Sequence, residues 1–251
     1  MRIALRKYVP LVLLLGCARE KAPGSDSVSA QASASTAPQA TLTRDSSRMR
    51  TRDTSPGTRV AGGLTKDARR TILFVGTSLT AGLGLDPDSA YPAQIQRLID
   101  KAGLQYEVVN AGYSGERSSG LLRRIDWLMR EPHDIVVIET GANDGLNGIP
   151  VTAMKENIRQ IILRVRELRP NARIMLVRME ALPNLGKPYT DGFRDVFPDL
   201  ARQYNVTLLP FLLENVAGVR ALNQSDGIHP NEEGERIVTA NVWRALKPHL
   251  K

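Results

Sequence analysis

Two short stretches of this chain carry residue types that do acyl-transfer chemistry. The first is Gly76-Thr77-Ser78-Leu79-Thr80-Ala81-Gly82, which follows an apolar run. A serine at such a turn can be a nucleophile whose Oγ emerges at a crevice, with neighbouring backbone N–H groups free to bind an oxyanion. The same residues also suit a helix N-cap, or a loop in which Thr77, Ser78 and Thr80 cradle a phosphate. The second stretch is Asp226-Gly227-Ile228-His229-Pro230. Pro230 disfavours α geometry at His229, which keeps the imidazole in a loop. A carboxylate three residues earlier can turn back onto Nδ1, leaving Nε2 to take a proton from a serine hydroxyl.

Two further stretches could supply oxyanion donors. Asn110-Ala111-Gly112-Tyr113-Ser114-Gly115 reads either as turn chemistry or as a loop whose glycines let a backbone N–H approach a carbonyl oxygen. Thr140-Gly141-Ala142-Asn143-Asp144-Gly145 reads either as an Asn-Asp-Gly turn or as an amide aimed at a reacting group. The other histidines, His133 and His249, compete poorly with His229 for a catalytic role. With one cysteine, Cys17, and three scattered histidines, the chain shows no disulfide framework or structural zinc spacing, and no metal or cofactor is expected.

The elements that would position these residues alternate. Strands are expected at residues 71–75, 106–110, 135–139 and 173–177, with a weaker one at 206–209. The runs at 72–75, 135–138 and 174–177 are apolar throughout, as in parallel strands covered on both faces. Helical stripes lie between them: Ile95, Leu98 and Ile99, with Pro92 at the start and Gly103 past the end; Leu121, Leu122, Ile125 and Leu128; Met154 to Leu168; and Phe193 to Tyr204, started or kinked at Pro198. The last helix is expected to open at Pro230. The βαβα order implies a three-layer α/β sandwich with right-handed crossovers, whose crevice lies beyond the carboxyl ends of the strands. All four chemical stretches fall at such ends or in the last loop before a helix.

The charge of +8 over 251 residues is unevenly spread. Residues 1–17 carry Arg2, Arg6 and Lys7, and residues 18–70 carry ten basic and five acidic side chains. The remaining 181 residues hold 21 of each sign, with no basic stripe, which argues against a nucleic-acid partner. The basic start followed by a short apolar run, too brief to span a bilayer, reads as a signal peptide over residues 1–16. Its end, Leu14-Leu15-Gly16-Cys17, resembles a bacterial lipobox, with Leu15 in place of the usual small residue; an ordinary secretory signal is the alternative. Residues 17–66, rich in Ser, Thr, Ala and Pro, read as a lipidated Cys17 followed by a tether. That places residues 67–251 as a domain anchored to a membrane at the bacterial cell envelope, on the periplasmic or extracellular face.

Gly76-Thr77-Ser78-Leu79, Gly115, Gly141-Ala142-Asn143-Asp144 and Asp226-Gly227-Ile228-His229 together resemble the SGNH (GDSL-type) hydrolases, most closely the bacterial arylesterase and thioesterase–lysophospholipase branch. The resemblance covers residues 71–251, including Val109-Asn110-Ala111 and Glu139. It implies a flavodoxin-like parallel sheet of order 2-1-3-4-5 and a metal-independent serine esterase. By the same resemblance Ser78 is the nucleophile, His229 the base and Asp226 its orienting acid. The backbone N–H groups of Ser78 and Gly115 and the side chain of Asn143 form the oxyanion hole. Acyl substrates are expected in a groove bordered by residues 180–189, with Met179, Leu182, Leu185 and Tyr189 supplying apolar surface; an ordinary strand-to-helix connection is the alternative there. Carboxylic esters are the expected substrates, with lysophospholipids and acyl thioesters in the same site. Thr77 stands where the family usually has Asp. Two other readings remain open: a flavin- or phosphate-binding flavodoxin-like module, and a binding lipoprotein without activity.

Overall fold

A computed structural model describes residues 69–251, so the expected signal peptide, Cys17 and the tether lie outside the described residues. Five strands, β1 (Arg70–Gly76), β2 (Tyr106–Gly112), β3 (Ile135–Ile138), β4 (Arg173–Arg178) and β5 (Thr207–Phe211), form one parallel sheet of order β2-β1-β3-β4-β5. The continuously apolar runs occupy its centre. Ile72 to Val75 pair with Ile135 to Ile138 on one side and Val108 to Ala111 on the other, and the β1 residues are at most 1% exposed. Each branched side chain there is covered on both faces, as the absence of alternation requires.

The helices are α1 (Ser78–Ala81), α2 (Tyr91–Lys101), α3 (Ser118–Leu128), α4 (Ala142–Leu146), α5 (Val151–Leu168), α6 (Lys187–Gln203) and α7 (Glu232–Leu246). Right-handed crossovers sort the long ones. The step from β1 back to β2 puts α2 on one face, where it packs on α7; the forward steps put α3, α5 and α6 on the other, packed in series. The result is the three-layer α/β/α sandwich.

Several element bounds differ from the sequence reading, and three of the differences have a plain physical cause. The last helix does not open at Pro230: Asn231 is its N-cap, accepting from the N–H groups of Glu233 (3.1 Å) and Gly234 (3.0 Å), while Pro230 bridges to Asn223. Pro198 neither starts nor ends α6, which begins at Lys187; the helix tolerates one missing N–H because Phe193, Val196, Phe197 and Leu200 bury its apolar face. The third strand stops one residue early, at Ile138, and the next residue, Glu139, turns its carboxylate under the loop that follows β1.

The outermost strand, β2, has one bare face, where Glu107 and Val109 are exposed. Its outer edge is closed by side chains: Val108 N–H donates to Gln96 Oε1 (2.7 Å), and Gln96 Nε2 donates to the Tyr106 carbonyl (3.2 Å).

Between α2 and α7 lies a buried carboxyl, Glu235, 1% exposed. Burial pushes its pKa up to about 8, against the pull of the Tyr91 backbone N–H. A folded-state pKa above the unfolded one means the folded chain binds the proton more tightly. Stability is therefore full below the ordinary glutamate range and is lost as pH rises towards about 8. Thermal unfolding of the wild type should show Tm falling between pH 5 and pH 9, and Glu235→Gln should flatten that dependence. A wild-type Tm independent of pH over this range would contradict the assignment.

Candidate active site

The turn after β1 is built on a close approach. A Cβ at Gly76 would lie 2.0 Å from Thr80 Oγ1 and 2.6 Å from Glu139 Oε2, so only glycine lets the strand pass so near the loop it feeds. The cap of α1 is Thr77, whose Oγ1 accepts from Leu79 N–H at 3.4 Å. Ser78, read from sequence as a possible cap, is instead the first helical residue, and its hydroxyl is left for other partners.

Beneath the turn sits Glu139, fully buried. Thr77 N–H donates to Oε2 (2.7 Å), and the hydroxyls of Thr77 (2.9 Å) and Thr80 (3.0 Å) donate to the same oxygen. Burial raises the Glu139 pKa, and the donors from Thr77 and Thr80 oppose the rise. Tyr91 OH lies 2.8 Å from Thr80 Oγ1, and burial, with the Glu139 charge second, raises the phenol well above its usual range. Thr77 thus meets Glu139 as a donor, where a carboxylate at this position would meet it as a like charge. The arrangement also removes the phosphate-cradle reading: Thr77 and Thr80 point their hydroxyls at a carboxyl group, which offers an incoming phosphate no positive field.

Ser78 and the Asp-x-x-His loop meet across the crevice. Ser78 Oγ lies 2.8 Å from His229 Nε2, and His229 Nδ1 lies 2.7 Å from Asp226 Oδ2. An ionised carboxylate only accepts, so Nδ1 carries the proton and the Nε2 lone pair faces the serine hydroxyl. Asp226 Oδ1 accepts from the N–H groups of Ile228 and His229, both at 3.0 Å. The Ile228 N–H, then the His229 side chain and N–H, hold the Asp226 pKa down at about 2. Gln224 fastens this loop to the turn that carries Ser78, donating from Nε2 to the carbonyls of Leu83 (2.7 Å) and Pro230 (2.9 Å).

The candidate oxyanion donors come from three strand ends. Among the described residues, the backbone N–H groups of Ser78 and Gly115 have no acceptor. Asn143, at the start of α4, donates from Nδ2 to the Glu116 carbonyl at 3.0 Å, which fixes the amide plane and leaves its second hydrogen unassigned. Tyr113 N–H donates to the Gly76 carbonyl (2.8 Å), tying the loop after β2 to the loop after β1. Asp144, 1% exposed, accepts from Ser118 N–H (2.7 Å) and Ser118 Oγ (2.6 Å), tying α4 to the start of α3.

A cavity of about 360 Å³ opens beside the serine, with Ser78, Asn143 and His229 in its wall. Its apolar lining comes from α4 (Leu146), the loop after β4 (Met179, Leu182) and the end of β5 with the residues that follow (Phe211, Leu213). A register shift between Val177 and Arg178 brings Phe211 opposite Arg178 at this rim. Of the four expected groove residues, Met179 and Leu182 line the cavity and the other two do not. Leu185 ends a single 3-10 turn (Pro183–Leu185), and the early start of α6 carries Tyr189 into the helical layer, where it stacks on Phe193 and donates to the Ile149 carbonyl (2.7 Å). The wall after β5 escaped the sequence reading, although Leu212, Leu213, Val216 and Ala217 form an apolar run at the carboxyl end of a strand, where a crevice is expected.

Residues 74–237 match the GDSL-like lipase/acylhydrolase family. This chain belongs to that family. It is similar to Esterase TesA of Pseudomonas aeruginosa, 38% identical over 184 residues (73% of this chain, 90% of the relative). It is also similar to an arylesterase of Vibrio mimicus, 33% identical over 73% of this chain and 91% of the relative. Thioesterase 1/protease 1/lysophospholipase L1 of Escherichia coli K12 is 34% identical over 72% of this chain and 85% of the relative. The crystal structure of TesA superposes with a TM-score of 0.69, covering 72% of this chain and all of that one. The SGNH fold and a serine esterase activity follow for this chain.

The brace under the Ser78 turn can be tested by Thr77→Val, which keeps the shape and removes one donor to a buried carboxyl group. We expect a loss of about 1.5–3 kcal/mol of stability in urea unfolding, the usual worth of a hydrogen bond to a charged group. An unchanged midpoint would show that Thr77 Oγ1 contributes nothing to the turn.

Proposed function

We propose that this protein hydrolyses carboxylic esters through an acyl-enzyme, with Ser78 as nucleophile. The observation that carries the reading is the pair of contacts at His229: Nε2 at 2.8 Å from Ser78 Oγ and Nδ1 at 2.7 Å from Asp226, beside an apolar cavity. Ser78 Oγ attacks the ester carbonyl while its proton passes to His229 Nε2. Asp226 stabilises the resulting imidazolium. The carbonyl oxygen gains the negative charge and is held by the N–H groups of Ser78 and Gly115 and by Asn143 Nδ2. Collapse breaks the bond to the alcohol oxygen, which takes the proton from His229. Water then repeats the sequence on the acyl-serine, releasing the acid and restoring Ser78.

The cavity lining suits aryl or short-to-medium acyl groups, which we take as the first substrates. Lysophospholipids and acyl thioesters follow as further substrates in the same site, in line with the name of the E. coli relative. A lipid anchor at Cys17 would present the domain to envelope lipids, which makes a lipid ester an attractive physiological substrate.

Two experiments test this reading. A fluorophosphonate probe should phosphonylate the wild type with loss of fluoride, and should fail with Ser78→Ala and His229→Ala. Asn143→Ala should label slowly and lose roughly 10²–10³ in kcat on an aryl ester; labelling of Ser78→Ala would refute the nucleophile. For the anchor, the full chain with Cys17→Ser should move from the membrane to the soluble fraction of a bacterial host, and its retention by membranes would count against lipidation.

A further inference from the structure

We infer that Arg124 is a positioning residue for the oxyanion hole, acting through Glu116; the inference rests on the catalytic reading of the site given above. Arg124 sits in the middle of α3 and lines a groove beside β2 with Tyr113 and Trp127, apart from the cavity that holds Ser78. It therefore touches no substrate. Its guanidinium makes a two-pronged contact with the Glu116 carboxylate, Nε to Oε1 at 2.7 Å and Nη2 to Oε2 at 2.6 Å. The same Nη2 donates to the Ala111 carbonyl at 2.9 Å. One cation thus grips both ends of the loop after β2: the last residues of the strand and the residue just after Gly115.

Two of the proposed donors depend on that grip. Gly115, at φ +78°, lies between Ala111 and Glu116, so holding both of those residues restrains the short loop that carries the Gly115 N–H. The Glu116 carbonyl accepts from Asn143 Nδ2 at 3.0 Å, so the same residue aims the side-chain donor of the neighbouring loop. The surroundings are shaped for this contact. The Glu116 side chain is 7% exposed, which makes an unpaired charge there unfavourable. Gly120 leaves room for it on α3, where a Cβ would come within 2.8 Å of Glu116 Cγ. A lysine could supply the charge at position 124 but not the fork that reaches Ala111 and both carboxylate oxygens together.

The test is a double-mutant cycle on the full chain with an aryl ester. Arg124→Lys should lower kcat by about tenfold to a hundredfold, the scale set by small misplacements of catalytic groups, with KM within about twofold. Because its effect passes through the hole, Arg124→Lys combined with Asn143→Ala should lose clearly less than the product of the two single losses. Losses that multiply, or a wild-type kcat in Arg124→Lys, would overturn the inference. Should Arg124→Lys fail to fold, Glu116→Gln takes its place in the cycle under the same criteria, since it loosens the fork and keeps the backbone carbonyl. Phosphonylation of the wild type separates the two levels of the argument: its absence at Ser78 removes the catalytic reading and the clamp together, whereas labelling with multiplicative losses removes the clamp alone.

Discussion

A carboxyl group shut away from water organises the catalytic end of this protein. Glu139 leaves the third strand one position early and spends its oxygens on the turn that follows the first. A buried polar group of this kind is tolerable only with its partners in place. Every donor it needs comes from Thr77 and Thr80, on either side of the serine. The position of Ser78 is therefore set by the demand of a buried acceptor beneath it, and the glycine at position 76 lets the two segments come so close.

The same device recurs around the crevice. Asp144 binds the start of α3, Glu116 binds the middle of that helix, and Asp226 binds two backbone N–H groups of its own loop along with the imidazole. The loops after β1, β2 and β3 are each held by an acid paired with a neighbouring segment, and the loop before α7 by one that accepts from within it. Such contacts are directional, and they specify loop geometry in a way that apolar packing of short, glycine-rich segments cannot. The central sheet supplies a rigid floor, and the acids turn its frayed ends into a fixed constellation.

What was legible in the sequence follows from this division. The central strands announced themselves because burial on two faces forbids alternation, as in Ile72 to Val75. The long helices did so because a single buried stripe imposes its period, as in Met154 to Val165. Ser78, Asn143, Asp226 and His229 stood out because they follow those elements, and the order of the strands came with the family likeness. Other features depend on contacts that no periodicity encodes. The pairing of Arg124 with Glu116 joins the middle of α3 to the irregular segment just before it, and the cavity wall at Phe211 and Leu213 depends on an irregular register against β4. Pro188 holds the same second helical position in α6 that Pro92 holds in α2, but with Pro183 and Gly186 close by it reads equally as a loop residue, which misplaces Tyr189; the cap at Asn231 is masked by the proline before it.

The closed rim of β2 has a consequence for how the molecule behaves in company. A parallel sheet that stops at an uncovered strand ordinarily leaves a row of amides and carbonyls that a second polypeptide can copy. Here the Gln96 amide already fills the Val108 and Tyr106 positions, and the Asn110 side chain takes the Gly112 N–H at 2.9 Å. The sheet is terminated chemically as well as geometrically, so neighbours crowded together are denied a backbone template at these sites.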